Sequence, residues 1–550
     1  MLLPVAASAH AYLVRTVPAA SVTLNVAPHT VALTFDEAVE PRFAIVSVTD
    51  ADANQEATGS PQRSSANPDT LVVPIKHVPE GWYLVYWRAI SVDGHPVQGV
   101  FTFAVGPNEG PPPQFAAPHV SETATTTPLL IARWLMFLAT MTAIGLFVLR
   151  VAIARPLVRR VDGARLRAVS IAFGVASVIG LVAVPAYVEE STAIDSLRSF
   201  LSFGALVPLW RTTAFGRGYV DLWICFTLFV GAAVVALWLD KPERRQRSVA
   251  SLLATAGALV AAAATLALPG VSGHAAQTSP RGWSVVLDWL HLVSGSIWIG
   301  GLIGLLVLWL SLPAARRVAG LAVAVPRFSN AAFVSVMVLL ATGVGASIIH
   351  LPTVDALWLT PYGKTILVKS GILLAAMAVA AVNLLHVKPK LDESRTRVLR
   401  ATVSTEAVLV AGAIFAAALL SSLAPPPPAF AEEGKAQVRV GPGPVVASVD
   451  EAGYKLHVLV APNKAVAANS FALRITKGGK PVTGASVTLS FAMLDMQMPN
   501  QEYQLAETSP GVYTRKAPAL VMVGHWGLSF EVTPKGEVPF TALVVDRANG

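Results

Sequence analysis

The sequence predicts a multidomain membrane protein: an N-terminal Ig-like β-barrel or sandwich, an eight-helix transmembrane bundle, and a C-terminal β-sandwich. Three observations predict it. Of 550 residues, 54% are hydrophobic and only 13% charged, about half the charge of a soluble domain, and the mean hydropathy is +0.58. The apolar residues concentrate in eight runs between 128 and 423. The flanking segments instead show short runs of alternating polarity punctuated by Pro, Gly, Asn and Asp, the pattern of antiparallel strands.

Residues 1–9 read as the remnant of an export signal. Ala7, Ser8 and Ala9 give the small-x-small pattern of a cleavage site, which would make His10 the mature N-terminus. A basic region is missing before it, so the true start codon is expected upstream. Residues 10–105 form the first β domain, with strands expected in Thr30 to Phe35, Ala44 to Thr49, Trp82 to Trp87 and Gly99 to Val105. Residues 106–127, with Pro111 to Pro113 and Thr125 to Thr127, are a stiff linker.

The membrane domain spans 128–423. Its eight runs lie at about 128–150, 168–188, 219–239, 249–269, 283–311, 329–350, 365–387 and 402–423, each able to cross about 30 Å of hydrocarbon. One set of loops carries 18 basic residues: Arg150, Arg155, Arg159, Arg160, Arg165, Arg167, Lys241, Arg244, Arg245, Arg247, Arg316, Arg317, Arg327, Lys388, Lys390, Arg395, Arg397 and Arg400. The opposite set carries 5: Arg198, Arg211, Arg217, Arg281 and Lys364. The first side is therefore predicted to be cytoplasmic, with both termini and both soluble domains outside. The same distribution explains the net charge of +8 without a nucleic-acid footprint. Cys225 is the one cysteine, which excludes a disulfide framework, a cysteine-rich zinc site and a four-cysteine iron–sulfur cluster within the chain. The sequence holds no P-loop for direct ATP drive. Residues 435–550 form the second β domain, with strands expected in Lys455 to Val460, Ser470 to Ile475, Ala485 to Phe491 and Gly527 to Val532.

The first candidate site is His10 with Asp93 and His95. Asp93 and His95 flank Gly94 just before Pro96, on a rigid bend, where a carboxylate and an imidazole two residues apart can face one ion. A terminal His chelates through its amine and ring together, and nitrogen and oxygen donors in a square favour Cu(II), with binding that weakens in acid as the amine takes up its proton. Taken alone, an Asp-Gly turn beside a surface histidine is the plainer reading. Three stretches, Ala9 to Ala11, Leu33 to Pro41, and Trp87 to Gly99, resemble the CopC family of periplasmic copper-binding β-barrels. The resemblance implies a Cu(II) site made by His10, Asp93 and His95. Members with a Met-rich Cu(I) site differ, since this chain has no Met between Met1 and Met136, so no Cu(I) site is expected here.

In the bundle, His274 follows the outer end of the fourth span, and Asp288 and His291 share a face near the outer end of the fifth. His350 closes the sixth on the same side, so these groups form a candidate membrane pathway. Met136, Met141, Met337 and Met377 lie within spans, where packing is the ordinary role of a thioether. The stretch Asp288 to Gly301, with Arg327 to Asn330, Pro361 to Lys364, Lys369, Asn383 and Glu406, resembles the CopD family of copper-handling membrane proteins. That implies copper transfer into or across the inner membrane, with His274 and His291 carried over as pathway residues. In the C-terminal domain, Met493, Met496 and Met498 fall within six residues and Met522 lies near His525. Met496, Met498, Met522 and His525 are a candidate Cu(I) site, against the alternative that Met fills a sandwich core. This domain resembles the YtkA-like group of extracytoplasmic β-sandwiches.

The expected function is copper binding and transport, with no enzymatic activity: capture of Cu(II) outside a bacterial inner membrane and delivery into or across it. The alternatives are a haem-binding cupric reductase, and a membrane-anchored copper buffer without transport. The expected partners are copper ions, the bilayer and periplasmic copper chaperones.

Overall fold

The computed structural model describes residues 13–549 apart from 21, 36–38, 40, 42–43, 91–95, 108–126, 193–213, 273–274, 276–279, 391, 424–437, 466 and 495–500. The chain divides into two compact units. One holds the helices, 125–350 and 365–422; the other holds both β domains together with 351–364.

The N-terminal β domain is a sandwich of two four-stranded sheets. One has the order β1 (Leu13–Val17), β3 (Thr30–Phe35), β6 (Thr70–Pro74), β5 (Gln62–Arg63), and the other β2 (Thr23–Leu24), β8 (Pro96–Val105), β7 (Gly81–Ile90), β4 (Ile45–Thr49). Alternation sets the faces: in β3, Val31, Leu33 and Phe35 are buried between more exposed neighbours. Phe35 meets Trp87 edge-on at 5.3 Å, joining the two sheets. The run Trp82 to Trp87 reads in sequence as an ordinary half-buried strand, but both of its faces are covered. Tyr83, Val85 and Trp87 enter the sandwich core, while Trp82 and Leu84, with Val100 and Ala104 of β8, join the apolar cluster that forms the core of the C-terminal domain. Burial on both sides is why the run is continuously apolar.

The C-terminal β domain is one continuous ten-stranded sheet folded over itself. Its path is β10 (Val445–Glu451), β11 (Tyr454–Ala461), β12 (Asn469–Lys477), β16 (Val512–Ala517), β15 (Gln501–Ser509), β14 (Ser486–Met493), β17 (Gly524–Thr533), β18 (Phe540–Ala548) and β9 (Val438–Arg439), with β13 (Lys480–Pro481) on β12. Strict alternation in β11, where Tyr454, Leu456, Val458 and Val460 are buried, aims one face at the core. A short helix, Ala356–Leu359, packs on this domain through Ala356, Leu351 and Leu359 against Leu494 and Val545.

The helical unit contains α1 (Thr127–Val148), α2 (Arg167–Thr192), α3 (Ala214–Leu239), α4 (Val249–Ser272), α5 (Arg281–Ser311), α6 (Ala314–His350), α7 (Pro361–Val382) and α8 (Glu393–Leu420). Among the described residues, eight helices are long and apolar enough to cross a membrane. α1 is the centre, packed on α2, α5 and α8. α1 and α5 cross at Gly145 and Gly300, where a Cβ on Gly300 would fall 2.5 Å from the Gly145 backbone, so only glycine permits the approach. Phe147, Phe173 and Phe229 interlock edge-on or tilted beside that crossing. α6 begins fifteen residues before its expected start of 329, because an amphipathic turn carrying Arg316 and Arg317 continues through Pro326 into the span. α8 begins at Glu393, where the Asp392 carboxylate accepts the Arg395 N–H at 2.8 Å and caps it.

The loops rich in arginine are partly structural. Arg150 and Arg155 bind the buried Asp240 carboxylate at 3.0 and 2.9 Å. Arg316 donates to the Asp162 carbonyl. Arg317 and Arg400 stack on the Trp309 ring at 4.1 and 4.6 Å.

Candidate functional site

In the N-terminal domain the last described pair between β7 and β8 is Ile90 with Pro96. His10, Asp93 and His95 lie outside the described residues. The elements that lead to them are described. β1 starts at Leu13, which pairs with Phe35 at the end of β3, and Phe35 touches Trp87 near the end of β7. Trp87 lies flat against Gly99, where a Cβ would come within 2.7 Å of its ring.

Within the helical unit, Asp288 and His291 share one face of α5, as their spacing requires. Two residues that the spacing could not supply join them: Thr342 of α6 and Lys369 of α7. His291 Nδ1 lies 2.8 Å from the Thr342 hydroxyl. That hydroxyl donates to the Val338 carbonyl at 2.7 Å, so it accepts from an Nδ1–H. The neutral ring then carries its lone pair on Nε2, and Lys369 Nζ stands 3.5 Å from that atom. Lys369 also feels the charge of Asp288. Asp288 in turn lies against α4 at Gly270, where a Cβ would sit 2.8 Å from its Oδ2. A ligand seeking the imidazole lone pair must therefore displace the Lys369 amino group. His350 ends α6 eight residues beyond Thr342, about 12 Å of helix rise away. His274 lies outside the described residues.

Further along the same face of α5, Trp298 Nε1 donates to Glu406 Oε1 of α8 at 2.7 Å. Asn383 Nδ2 reaches Glu406 Oε2 at 3.4 Å, and the Thr402 hydroxyl donates to Asn383 Oδ1 at 2.5 Å. Glu406 is 3% exposed. Of the methionines in the spans, Met136 and Met141 are core residues. Met136 also lines a small cavity with Thr140, Thr265, Pro269 and Leu292. Met337 is 51% exposed on the bundle's outside.

In the C-terminal domain Met493 and Met522 are buried in the core, and the Met522 carbonyl accepts the Trp526 indole N–H at 3.0 Å. Register places Met493, Trp526 and Asp546 in one row across β14, β17 and β18. His525, one residue along, turns to the opposite face. Asp546 Oδ1 accepts from Asn463 Nδ2 at 2.9 Å, while Oδ2 is buried with no partner among the described residues. Burial pushes the Asp546 carboxyl up to about 6, opposed by the Asn463 and Arg547 hydrogen bonds and the charge of His525. Met496 and Met498 lie outside the described residues. Among the described residues no three His, Cys, Asp or Glu side chains converge as a metal-holding group.

Comparison with known proteins follows the same division. The profile of the CopC domain matches residues 13–106, that of Copper resistance protein D residues 322–420, and the YtkA-like profile residues 449–531. The chain is 28% identical over 539 residues to the Copper transport protein CutJ of Bacillus subtilis (strain 168), covering 95% of this chain and 93% of that one. Protein YobA of Escherichia coli (strain K12) is 35% identical over 98 residues, 18% of this chain and 79% of its own. A crystal structure of CopC from Methylosinus trichosporium OB3b shares 30% identity, covers 18% of this chain and 98% of its own, and gives a TM-score of 0.17. The alignments account for both β domains and for the helical unit between them, and the chain belongs to the family of copper-handling fusion proteins that join a CopC domain, a CopD membrane domain and a YtkA-like domain in one polypeptide.

Proposed function

We propose that this multi-pass protein captures Cu(II) outside the bacterial inner membrane and delivers copper into or across it. The observation that carries the reading is alignment over 95% of the chain with a protein named for copper transport, combined with a buried polar cluster on α5 inside the aligned bundle. Capture is assigned to His10, Asp93 and His95. The start of β1, the end of β3 and the end of β7 meet through Leu13, Phe35 and Trp87, which supports a common site at that end of the sandwich. Transit is assigned to the outer mouth bearing His274, Asp288, His291 and His350, where copper reaches His291 Nε2 as Lys369 withdraws. The excess of basic residues on one set of loops supports both termini outside. In the C-terminal domain, Cu(I) holding falls to Met496 and Met498 with His525, since Met522 is committed to the core.

The test is copper content of cells producing the full chain. Accumulation above cells without the protein is expected, falling to their level with His95→Ala and with His291→Ala. Equal accumulation by all of these strains refutes delivery. Retained copper tolerance after removal of 128–423 and export of the two β domains points instead to a buffer.

A further inference from the structure

Glu406 has no part in the route just assigned, yet it is a carboxylate buried among apolar helices. Its partners are neutral: the Trp298 N–H at 2.7 Å and the Asn383 amide at 3.4 Å. Among the described residues no ion pair reaches it. Ionisable groups within a span are costly and mark a function.

The network around it can satisfy either charge state. In the first arrangement Trp298 and Asn383 both donate to the carboxylate, and Thr402 donates to Asn383 Oδ1 at 2.5 Å. The Thr402 hydroxyl also has the Val398 carbonyl at 3.0 Å as a second acceptor. If Thr402 turns to Val398, the Asn383 amide is free to flip. Its Nδ2 then donates to Thr402 Oγ1, and its Oδ1 accepts from a proton on Glu406 Oε2. Trp298 keeps its bond to Oε1 throughout. Glu406, Asn383 and Thr402 each keep a hydrogen-bond partner in both arrangements, as a buried polar network requires. Asn383 opens a π-helical turn, 383–387, a feature found often at functional sites.

We propose that Glu406 is a proton-binding station of the membrane bundle, switched between acid and carboxylate by the Asn383 amide and the Thr402 hydroxyl. On loading, hydronium gives up a proton that forms an O–H bond at Oε2; on release that bond breaks and the proton returns to water. Among the described residues, the elements packed on α8 bring no fixed counter-charge to it. On α5, Asp288 and His291 are occupied with Lys369 and Thr342. On α1, Arg133 binds Tyr187 and, just past the end of α8, Ser421 and Ser422, and Arg150 just beyond α1 binds Asp240. On α6, Arg327 donates to the Val323 carbonyl, and beyond Asn383 the exposed His386 offers its carbonyl to Arg395. On α8 itself, Arg400 is stacked on Trp309.

The experiment is infrared difference spectroscopy of the full chain in liposomes as pH is stepped. A protonated-carboxyl stretch that grows in acid, shifts in D2O and is lost in Glu406→Gln is expected. Asn383→Leu, which keeps the carboxylate but removes the switch, is expected to move the pH midpoint of that band. A wild-type spectrum whose carboxyl bands are all retained in Glu406→Gln overturns the proposal, and an unmoved midpoint in Asn383→Leu overturns the switch. Because the band is read without copper, its presence in a protein that moves no copper separates failure of the delivery reading from failure of this one.

Discussion

Asp546 allows a stability prediction with its sign and size fixed by its surroundings. Its carboxyl is fully buried on the core face of β18, with one oxygen bonded to Asn463 and the other lacking a donor among the described residues. The ordinary value of 3.8 rises to about 6, so the folded domain holds this proton more tightly than the unfolded chain. Stability from this group is complete below 3.8, declines as pH rises towards 6, and is absent above. At about 1.4 kcal/mol per pH unit, the window is worth about 3 kcal/mol. Hydrogen exchange of peptides covering β17 and β18 in the full chain, corrected for the intrinsic pH dependence of exchange, reads this directly. Protection is expected to fall ten- to a hundredfold between about pH 4 and pH 7, and Asp546→Asn to flatten the profile. A wild-type profile that is flat or rising, or an Asn variant with the same slope, would refute the burial argument.

Three further outcomes follow from named contacts. Asp240→Asn strands the buried guanidinium groups of Arg150 and Arg155; a loss of about 3–5 kcal/mol is expected, seen as a lower thermal midpoint and reduced folded yield in detergent. Trp82→Ala empties a side chain shared with the C-terminal cluster, at about 3–5 kcal/mol, and is expected to speed proteolysis of both β domains rather than the first alone. Lys369→Met frees the His291 lone pair from its amino donor at 3.5 Å, a bond worth about 1.5 kcal/mol. With the outer site removed by His95→Ala, copper retained by the purified full chain is expected to rise about tenfold, and unchanged retention rejects Nε2 as the copper-facing atom.

Much of the fold is legible because burial writes a period into the sequence. The alternation of β3 and β11 and the eight apolar runs each correspond to an element. What escapes is set by tertiary partners. The continuous apolar run Trp82 to Trp87 is compatible with burial on both faces, but nothing in it names the C-terminal cluster as the second cover. The amphipathic start of α6 is too polar to count as a span, although it continues one. The arginine count suffers similarly, since Arg150, Arg155 and Arg316 are held by Asp240 and the Asp162 carbonyl. They therefore carry a packing role as well as a topological one.

The candidate site shows the same limit more sharply. Spacing places Asp288, His291 and Trp298 on one stripe of α5, and that much can be read from one helix. The groups that give the stripe its chemistry stand 51, 78 and 108 residues away: Thr342, Lys369 and Glu406. Thr342 decides which imidazole nitrogen carries the proton. Lys369 decides whether the other is available to a metal, and Asn383 decides whether a buried carboxylate is held as an anion or an acid. Lys369 and Asn383 stand out as polar residues in apolar spans and belong to the CopD-like pattern, but nothing local to them or to Thr342 names the partner each meets. The copper role proposed for His291 and the proton role proposed for Glu406 thus both rest on helix pairing. Substitutions at Thr342 and Asn383, which hold neither copper nor the proton, are the ones that separate the two.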